Sequence, residues 1–242
     1  MKNYNSHVYR QAGKLKISVI FIFSIFYFLF SIISASAQTA PQFLITWRSH
    51  NYAPSWYQGK VLATRGSWVD VSFDLIDNGK IVDLSKKKIR WYVNDDLRRN
   101  EDDGLGIKNY YFGVDDYARD DIEVRIVVVD YAENEIGQMV IIPLANPEAV
   151  IDAPYSGNRV PSGTSIFKAY PFFFNVNDLS KLSFNWTVGG RSVESSAGDA
   201  SILKLNIDKL APSGFGIEIR ATINNLANEM EFAGGNIKME VK

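Results

Sequence analysis

Hydrophobic and polar residues alternate along much of the chain after residue 40, with the two-residue period of a half-buried β-strand. Turn sequences such as Asp77-Asn78-Gly79 and Gly189-Gly190 separate the alternating segments. No amphipathic helix is predicted in this part, which indicates an all-β protein. The positions predicted to face inward are Val69, Val71, Phe73, Leu75, Ile89, Trp91, Val93, Ile122, Val124, Ile126 and Val128, followed by Phe184, Trp186, Val188, Ile217, Ile219, Ala221 and Ile223.

The chain also repeats itself at a constant offset of 95 residues. Asp83-Leu84-Ser85-Lys86 recurs as 178–181, and Ile122-Glu123-Val124-Arg125 recurs as Ile217-Glu218-Ile219-Arg220. Chance similarity rarely keeps one offset over about fifty residues. We therefore predict two copies of one domain, residues 38–146 and 147–242, joined at Ala145-Asn146-Pro147, where proline ends the preceding ladder. The predicted structural core comprises Trp91, Trp186, Val93, Val188, Ile122 and Ile217.

About seven short strands per copy around an inward-facing tryptophan predict a β-sandwich. Around Trp91-Tyr92-Val93-Asn94-Asp95 and Trp186-Thr187-Val188-Gly189-Gly190 the chain resembles strand C and its turn in immunoglobulin-like domains of bacterial surface proteins. The segments 122–125 and 217–220 resemble strand F. The resemblance is to the broad superfamily, with its fibronectin type III and PKD-like branches. The chain lacks the cysteine pair of antibody domains and the Gly-Asp-Gly turn of PKD domains.

A weaker resemblance, carried by Ile45-Thr46-Trp47-Arg48, is to exported bacterial proteins without a known active site. Together these resemblances imply two tandem immunoglobulin-like sandwiches and export from the cytoplasm. They imply no catalytic residue, because a fold of this kind does not establish a function.

The first 37 residues have the organisation of a secretory signal peptide. Four basic residues and no acid precede an apolar run over residues 17–33, and Ala35-Ser36-Ala37 then places a cleavage site before Gln38. The alternative is an uncleaved anchor helix, because a run of this length nearly spans a bilayer. Both interpretations place the remainder outside the cytoplasm. That remainder has 22 Lys and Arg against 27 Asp and Glu, a net charge of −5.

Composition excludes several classes of function. The 242 residues include no cysteine, which excludes disulfides, zinc–cysteine sites, iron–sulfur clusters and cysteine nucleophiles. A net charge of −1 argues against nucleic-acid binding. His50 is the one histidine after the leader, and it is predicted to lie in a surface loop; no Gly-x-Ser-x-Gly motif accompanies it. We predict no enzyme activity and no cofactor. Because acidic residues are numerous, a carboxylate pair for glycoside hydrolysis is kept as an alternative.

Acidic loops in the first copy raise calcium as an alternative, since calcium takes oxygen ligands. The candidate ligands are Asp102, Asp103, Asp115 and Asp116. The second copy has serine, glycine and alanine at many equivalent positions, so turn chemistry on solvated loops is the favoured interpretation and no metal site is predicted.

Aromatic residues suggest where a partner could bind. Tyr52, Trp56 and Tyr57 form a predicted recognition patch in the irregular segment 49–60, because exposed rings can stack on sugars or anchor a protein. The favoured interpretation of these aromatic residues is nevertheless a cap over the end of the sandwich, with Trp47 and Trp68 buried in strands. Alternation turns Tyr111 and Phe173 outward, to pack between the copies or against another protomer.

These patterns predict an exported, non-enzymatic interaction or structural module of the cell surface or periplasm, which binds a protein partner through loops or strand edges. One alternative is a carbohydrate-binding module that uses Tyr52, Trp56 and Tyr57. A second is an accessory domain of a surface or secretion assembly, held by an uncleaved anchor. The expected partner is a protein or a cell-envelope glycan and not a nucleic acid, with membrane contact only through residues 17–33.

Overall fold

Every alternating segment predicted from the sequence is a strand in the computed structural model, which describes residues 40–242. The predicted leader, including Ala35, Ala37 and Gln38, lies outside the described residues. The strands are β1 (Gln42–Ser49), β2 (Trp68–Asp77), β3 (Lys80–Ile81), β4 (Ile89–Val93), β5 (Asp96–Arg99), β6 (Asn109–Gly113), β7 (Asp121–Tyr131), β8 (Asn134–Pro143), β9 (Glu148–Asp152), β10 (Arg159–Val160), β11 (Gly163–Phe172), β12 (Leu182–Val188), β13 (Arg191–Val193), β14 (Ile202–Ile207), β15 (Gly216–Asn225) and β16 (Asn228–Val241).

The only helical elements between residues 40 and 242 are three short 3-10 turns, at Glu101–Asp103, Ser156–Asn158 and Leu179–Lys181. In that described range, no helix has both the length and the apolar character needed to span a bilayer.

Two sheets enclose the core of the first half of the described chain (residues 42–146). In one sheet β2 pairs with β1 along one side and with β3 and β6 along the other, and the second sheet has the order β5-β4-β7-β8. Inward side chains from both sheets form one buried cluster, because alternation gives each strand one apolar face. Its largest fully buried member is Trp91.

The second half (residues 147–242) has the sheets β9-β11-β14 and β10-β16-β15-β12-β13 around a second cluster that contains Trp186. β10 pairs in parallel with β16, and a parallel bridge between Ala63 and Leu144 takes the corresponding place in the first half. An immunoglobulin-like sandwich has strands A, B and E facing strands C, F and G. In chain order, β1, β2 and β6 face β4, β7 and β8 in the first half, and β9, β11 and β14 face β12, β15 and β16 in the second, so the fold is all-β and immunoglobulin-like. Gln42–Lys242 forms one compact unit that contains both cores.

The 95-residue repeat extends to the strand register. Trp91 pairs with Ile126 across β4 and β7, and Trp186 pairs with Ala221 across β12 and β15. Both residues of the second pair lie 95 positions after their counterparts in the first. The two indoles also make the same hydrogen bond: Trp91 Nε1 donates to the Ile107 carbonyl (2.8 Å) and Trp186 Nε1 to the Ala200 carbonyl (3.0 Å). Each tryptophan therefore fills its core while its only polar atom is satisfied.

The repeated Asp-Leu-Ser-Lys motif makes the same side-chain hydrogen bond in both halves. The carboxylate of Asp83 accepts from the Ser85 N–H (2.9 Å), and that of Asp178 accepts from the Ser180 N–H (2.7 Å). These backbone hydrogen bonds lower the pKa of both carboxyls. The motif is thus an Asx-type turn before the tryptophan strand.

Candidate recognition surfaces

Tyr52, from the predicted recognition patch, joins the two halves of the chain. Its N–H donates to the Phe174 carbonyl (2.7 Å), and the Phe173 N–H donates to the Tyr52 carbonyl (2.7 Å). The Tyr52 ring packs against the second core. Burial, and after it the charge of Asp178, raises the pKa of the Tyr52 phenol.

The other two members of the patch lie on the same junction. Trp56 meets Tyr170 and Phe172 edge to face at 5.3 and 5.8 Å between ring centroids, and Tyr57 lies 5.3 Å from Phe172. Tyr57 is partly buried, whereas Trp56 is 57% exposed. The three residues therefore have a packing role, and a binding role for them stays a prediction.

Two predictions about aromatic side chains are wrong. Phe173 was expected to face outward but is only 5% exposed, because its positive φ of 63° interrupts the alternation and turns the ring against Tyr57 (6.0 Å). Phe173 packs between the two halves of the chain, which is one of the two packing roles that the sequence predicts for it. Trp68 was expected to be buried but is 46% exposed. Its neighbour Val69 faces inward, so alternation places Trp68 outside, and the sequence contained that signal.

The exposed Trp68 belongs to a three-by-three array on the outer face of β1, β2 and β6, here called the grid. Strand register places its members in three rows across the sheet. The rows are Thr46–Ser72–Asn109, Arg48–Asp70–Tyr111 and His50–Trp68–Gly113.

Aromatic rings dominate one end of the grid. Trp68 and Tyr111, which is 50% exposed, stack with 4.7 Å between centroids and 13° between planes. His50 meets Tyr111 edge to face at 5.4 Å. The indole lies over Gly113, where a Cβ would meet the Trp68 ring at 3.6 Å, an ordinary van der Waals contact.

Charged and polar groups fill the rest of the grid. Arg48 Nε (3.0 Å) and His50 Nε2 (2.8 Å) both donate to one carboxylate oxygen of Asp70. Burial alone would raise the pKa of Asp70, but these hydrogen bonds outweigh it and hold the pKa below its usual value. A groove of about 500 Å³ runs over this region, lined by Thr46, Trp47, Arg48, Asp70, Val71, Ser72 and Asn109.

A second surface lies on the outer face of the opposite sheet of the same half. Register pairs Leu97 with Tyr92, Tyr92 with Arg125, and Arg125 with Met139, so these four side chains form one line across β5, β4, β7 and β8, here called the cross-strand row. The Arg125 guanidinium lies 3.9 Å from the centre of the Tyr92 ring. Leu97 is 48% and Met139 46% exposed.

The second half shows that the fold does not require these residues. Ser192, Thr187, Arg220 and Asn236 pair across β13, β12, β15 and β16 in the same order. Thr187 and Arg220 are the repeat equivalents of Tyr92 and Arg125. Three of the four positions in the first half thus carry large, partly exposed side chains where the second half has small polar ones.

Strand β8 is the outer strand of the sheet that carries this row. Its pairing in the described chain is with β7, and the chain bridges to Ala63 only at Leu144, after the strand ends. Ile141 is also exposed on the outward side. Such an edge can accept a strand from a partner.

The calcium candidates do not form one site. Asp103 accepts from Arg99 Nη1 (3.0 Å) and from the Asn100 N–H (3.0 Å) in the 3-10 turn with Asp102, whereas Asp115 accepts from the Tyr117 N–H (2.8 Å) in the loop with Asp116. Within residues 40–242, no three His, Asp or Glu side chains are placed to hold a metal ion.

His50 follows the end of β1, and its polar contact is to Asp70. In the part of the chain that the structure describes, no serine or threonine hydroxyl is hydrogen-bonded to its ring. A nucleophile–base pair is therefore not assembled around this residue.

Comparisons with known proteins assign no function to the chain. No family model matches the chain, and no curated protein matches it. Among solved structures, the chain is similar to the fibronectin(III)-like modules of Clostridium thermocellum CbhA (16% identity, TM-score 0.29, covering 82% of this chain and 94% of that one). It is also similar to three N-terminal domains of the bacteriophage RB49 outer capsid protein Hoc (9%, 0.41, 84% and 59%). A third is the Bacteroides ovatus mixed-linkage glucan utilization locus protein SGBP-B, in complex with a heptasaccharide (11%, 0.25, 84% and 47%).

Proposed function

We propose that this chain is an exported, non-enzymatic interaction module of two tandem domains, residues 38–146 and 147–242, which binds a protein partner through the cross-strand row and the adjoining edge of β8. Export rests on the leader sequence, with its basic segment, apolar run and Ala-x-Ala triplet. A mature N-terminus at Gln38 would establish cleavage, and an intact N-terminus would indicate the anchored form.

The observation that carries the proposal is the contrast between equivalent rows of the two halves. Leu97, Tyr92 and Met139 occupy the places of Ser192, Thr187 and Asn236 on the same fold. Exposed apolar side chains at these positions do not serve the fold, because the second half forms the same sheet without them. Tyrosine, methionine and arginine are enriched in protein interfaces, and a central aromatic residue is a common anchor.

The arrangement of the row favours a protein over a small ligand. The four residues span all four strands of the sheet, which at the usual strand spacing is about 14 Å. Arg125 holds the Tyr92 ring from one side and pairs with Asp95 (3.6 Å), so the ring is oriented before a partner arrives. Such preorganisation reduces the entropy lost on binding. Next to the row, β8 supplies backbone groups for strand addition.

Site-specific photocrosslinking tests the proposal. Tyr92 is replaced by p-benzoylphenylalanine in the full chain, in the cells that produce it, and the matched control carries the same replacement at Thr187. We expect a light-dependent adduct with a defined protein at position 92 and none at position 187. Equal adducts at both positions, or none at position 92, would overturn the proposal.

A further inference from the structure

The outer face of the opposite sheet offers a different chemistry. The grid combines a stacked indole and phenol with carboxylate, guanidinium, amide and hydroxyl groups, all within one exposed area. Strand rise and strand spacing give it dimensions of about 14 by 10 Å. Its polar groups line the groove, and the aromatic pair lies at one end.

The charges of the grid are balanced. Arg48 is paired with Asp70, and Lys108 is paired with Asp74 (2.6 Å) in the next row of the same face. An ionic ligand bound at the grid would therefore have to displace one of these ion pairs. Charge complementarity thus selects a neutral ligand.

The hydrogen-bonding groups are of the kind that recognise adjacent hydroxyls. Arg48 directs Nε and Nη2 to Asp70 and has further N–H groups available. The Asn109 side-chain amide, a donor and an acceptor, has no hydrogen-bond partner among residues 40–242. Thr46 and Ser72 hydrogen-bond to each other (2.7 Å), and each hydroxyl keeps further bonding capacity. The groove therefore offers both donors and acceptors to a ligand.

The aromatic end supplies the complementary apolar contact. Trp68 and Tyr111 are each about half exposed and are held by their mutual stacking. A ligand that has a polar rim of hydroxyls and an apolar face of C–H groups matches a polar groove with an aromatic pair beside it, and a sugar ring has both.

We propose that the grid is a binding site for a neutral oligosaccharide, in which Trp68 and Tyr111 pack on the apolar face of a sugar ring and Arg48, Asp70 and Asn109 bond its hydroxyls. The site lies on the sheet opposite the cross-strand row. The first half would then connect a glycan on one side to a protein on the other.

A glycan array of neutral and acidic oligosaccharides, probed with the mature chain from Gln38, tests this assignment. We expect binding to a neutral oligosaccharide, weakened at least tenfold by Tyr111→Ala. Trp56→Ala removes an exposed tryptophan outside the grid and is expected to change the affinity less than twofold. Near-ultraviolet circular dichroism confirms that each variant is folded.

A second measurement keeps the proposal testable if Tyr111→Ala does not fold. The neutral oligosaccharide that binds is expected to change tryptophan fluorescence in Trp56→Phe and to change it much less in Trp68→Phe, where Trp47 is the one tryptophan in the groove lining. The proposal is overturned if only acidic glycans bind, if no glycan binds at millimolar concentration, or if Trp56→Ala weakens binding as much as Tyr111→Ala does. Since this site and the cross-strand row share no residue, failure here leaves the protein-binding proposal to its own crosslinking test.

Discussion

The guanidinium of Arg125 lies 3.9 Å from the centre of the Tyr92 ring, on the outer face of the sheet β5-β4-β7-β8. At the equivalent place in the second half, Arg220 faces Thr187 across the same pair of strands. One arginine is thus engaged with an aromatic ring, whereas its repeat equivalent has none. The fold therefore does not need the contact between arginine and an aromatic ring, which is a feature of the first half.

We expect Arg125→Gln to lower the free energy of unfolding by about 0.5–1 kcal/mol, the usual contribution of an exposed cation–π contact. Arg220→Gln is the matched control and is expected to cost less than about 0.5 kcal/mol, because Thr187 offers no ring. Urea unfolding measures both. Equal losses would show that the contact with Tyr92 contributes nothing.

Replacing either core tryptophan by phenylalanine is expected to lower the free energy of unfolding. In Trp91→Phe the Ile107 carbonyl loses its partner, and in Trp186→Phe the Ala200 carbonyl does. Each is expected to cost about 1–3 kcal/mol, because the smaller ring loses the hydrogen bond and leaves part of the space of a fully buried indole unfilled. Trp68→Phe, on the exposed grid, should cost less than about 0.5 kcal/mol. A comparable loss in all three variants would contradict the assignment of Trp91 and Trp186 to the cores.

The junction between the two halves can be tested at Tyr57, whose ring contacts Phe172 and Phe173. Tyr57→Ala uncovers both phenylalanines and is expected to destabilise the chain by about 1–3 kcal/mol. Tyr117, which is almost fully exposed, provides the control of the same residue type. Thermal unfolding compares Tyr57→Ala with Tyr117→Ala, and unchanged midpoints in both would mean that the junction does not contribute to stability.

The ion pair between Arg90 and Glu101 makes stability depend on pH in the acid range. Hydrogen bonds from Arg90 Nε (3.0 Å) and Nη2 (2.6 Å) hold the pKa of Glu101 at about 2. A lowered folded-state pKa stabilises the protein above the unfolded value of about 4.3 and loses that effect as the pH falls towards 2. The stability advantage of the native chain over Glu101→Gln should therefore shrink between pH 5 and pH 2. An advantage that stays constant over this range would show that the ion pair does not form.

Alternation and the repeat were sufficient to predict β2, β4, β7, β12 and β15, their inward faces and the two tryptophan cores. They depend on local periodicity and on one constant offset, both of which can be read directly from the residues. The register of β4 with β7 and of β12 with β15 follows the same offset.

Alternation failed where the chain leaves the regular strand. Phe173 has a positive φ, so its ring turns inward although its position predicts the opposite. The packing of Tyr52 and Tyr57 across the junction depends on the folded path of segment 50–62, which no local pattern encodes. Trp68 differs, because its exposure follows from the inward face of Val69 and could have been predicted.

The cross-strand row and the grid could not be predicted from the sequence either. The cross-strand row joins residues from four strands that are separated along the chain, and the grid joins three. Only strand register places Arg125 beside Tyr92, or Tyr111 beside Asp70. Exposed aromatic residues could be suspected from composition, but the partners that surround them could not.

The proposal that the cross-strand row binds the partner can be tested with a variant in which the row of the first half is exchanged for that of the second. The measurement is the affinity of this variant for the protein identified by crosslinking. The variant Leu97→Ser, Tyr92→Thr, Met139→Asn gives the first half the residues that the second half already uses on the same fold, so circular dichroism and the unfolding midpoint should stay close to those of the native chain. Loss of a buried aromatic anchor typically costs about 2 kcal/mol or more, so we expect binding to weaken at least about thirtyfold. An unchanged Kd in the folded variant would contradict the claim that this row binds the partner.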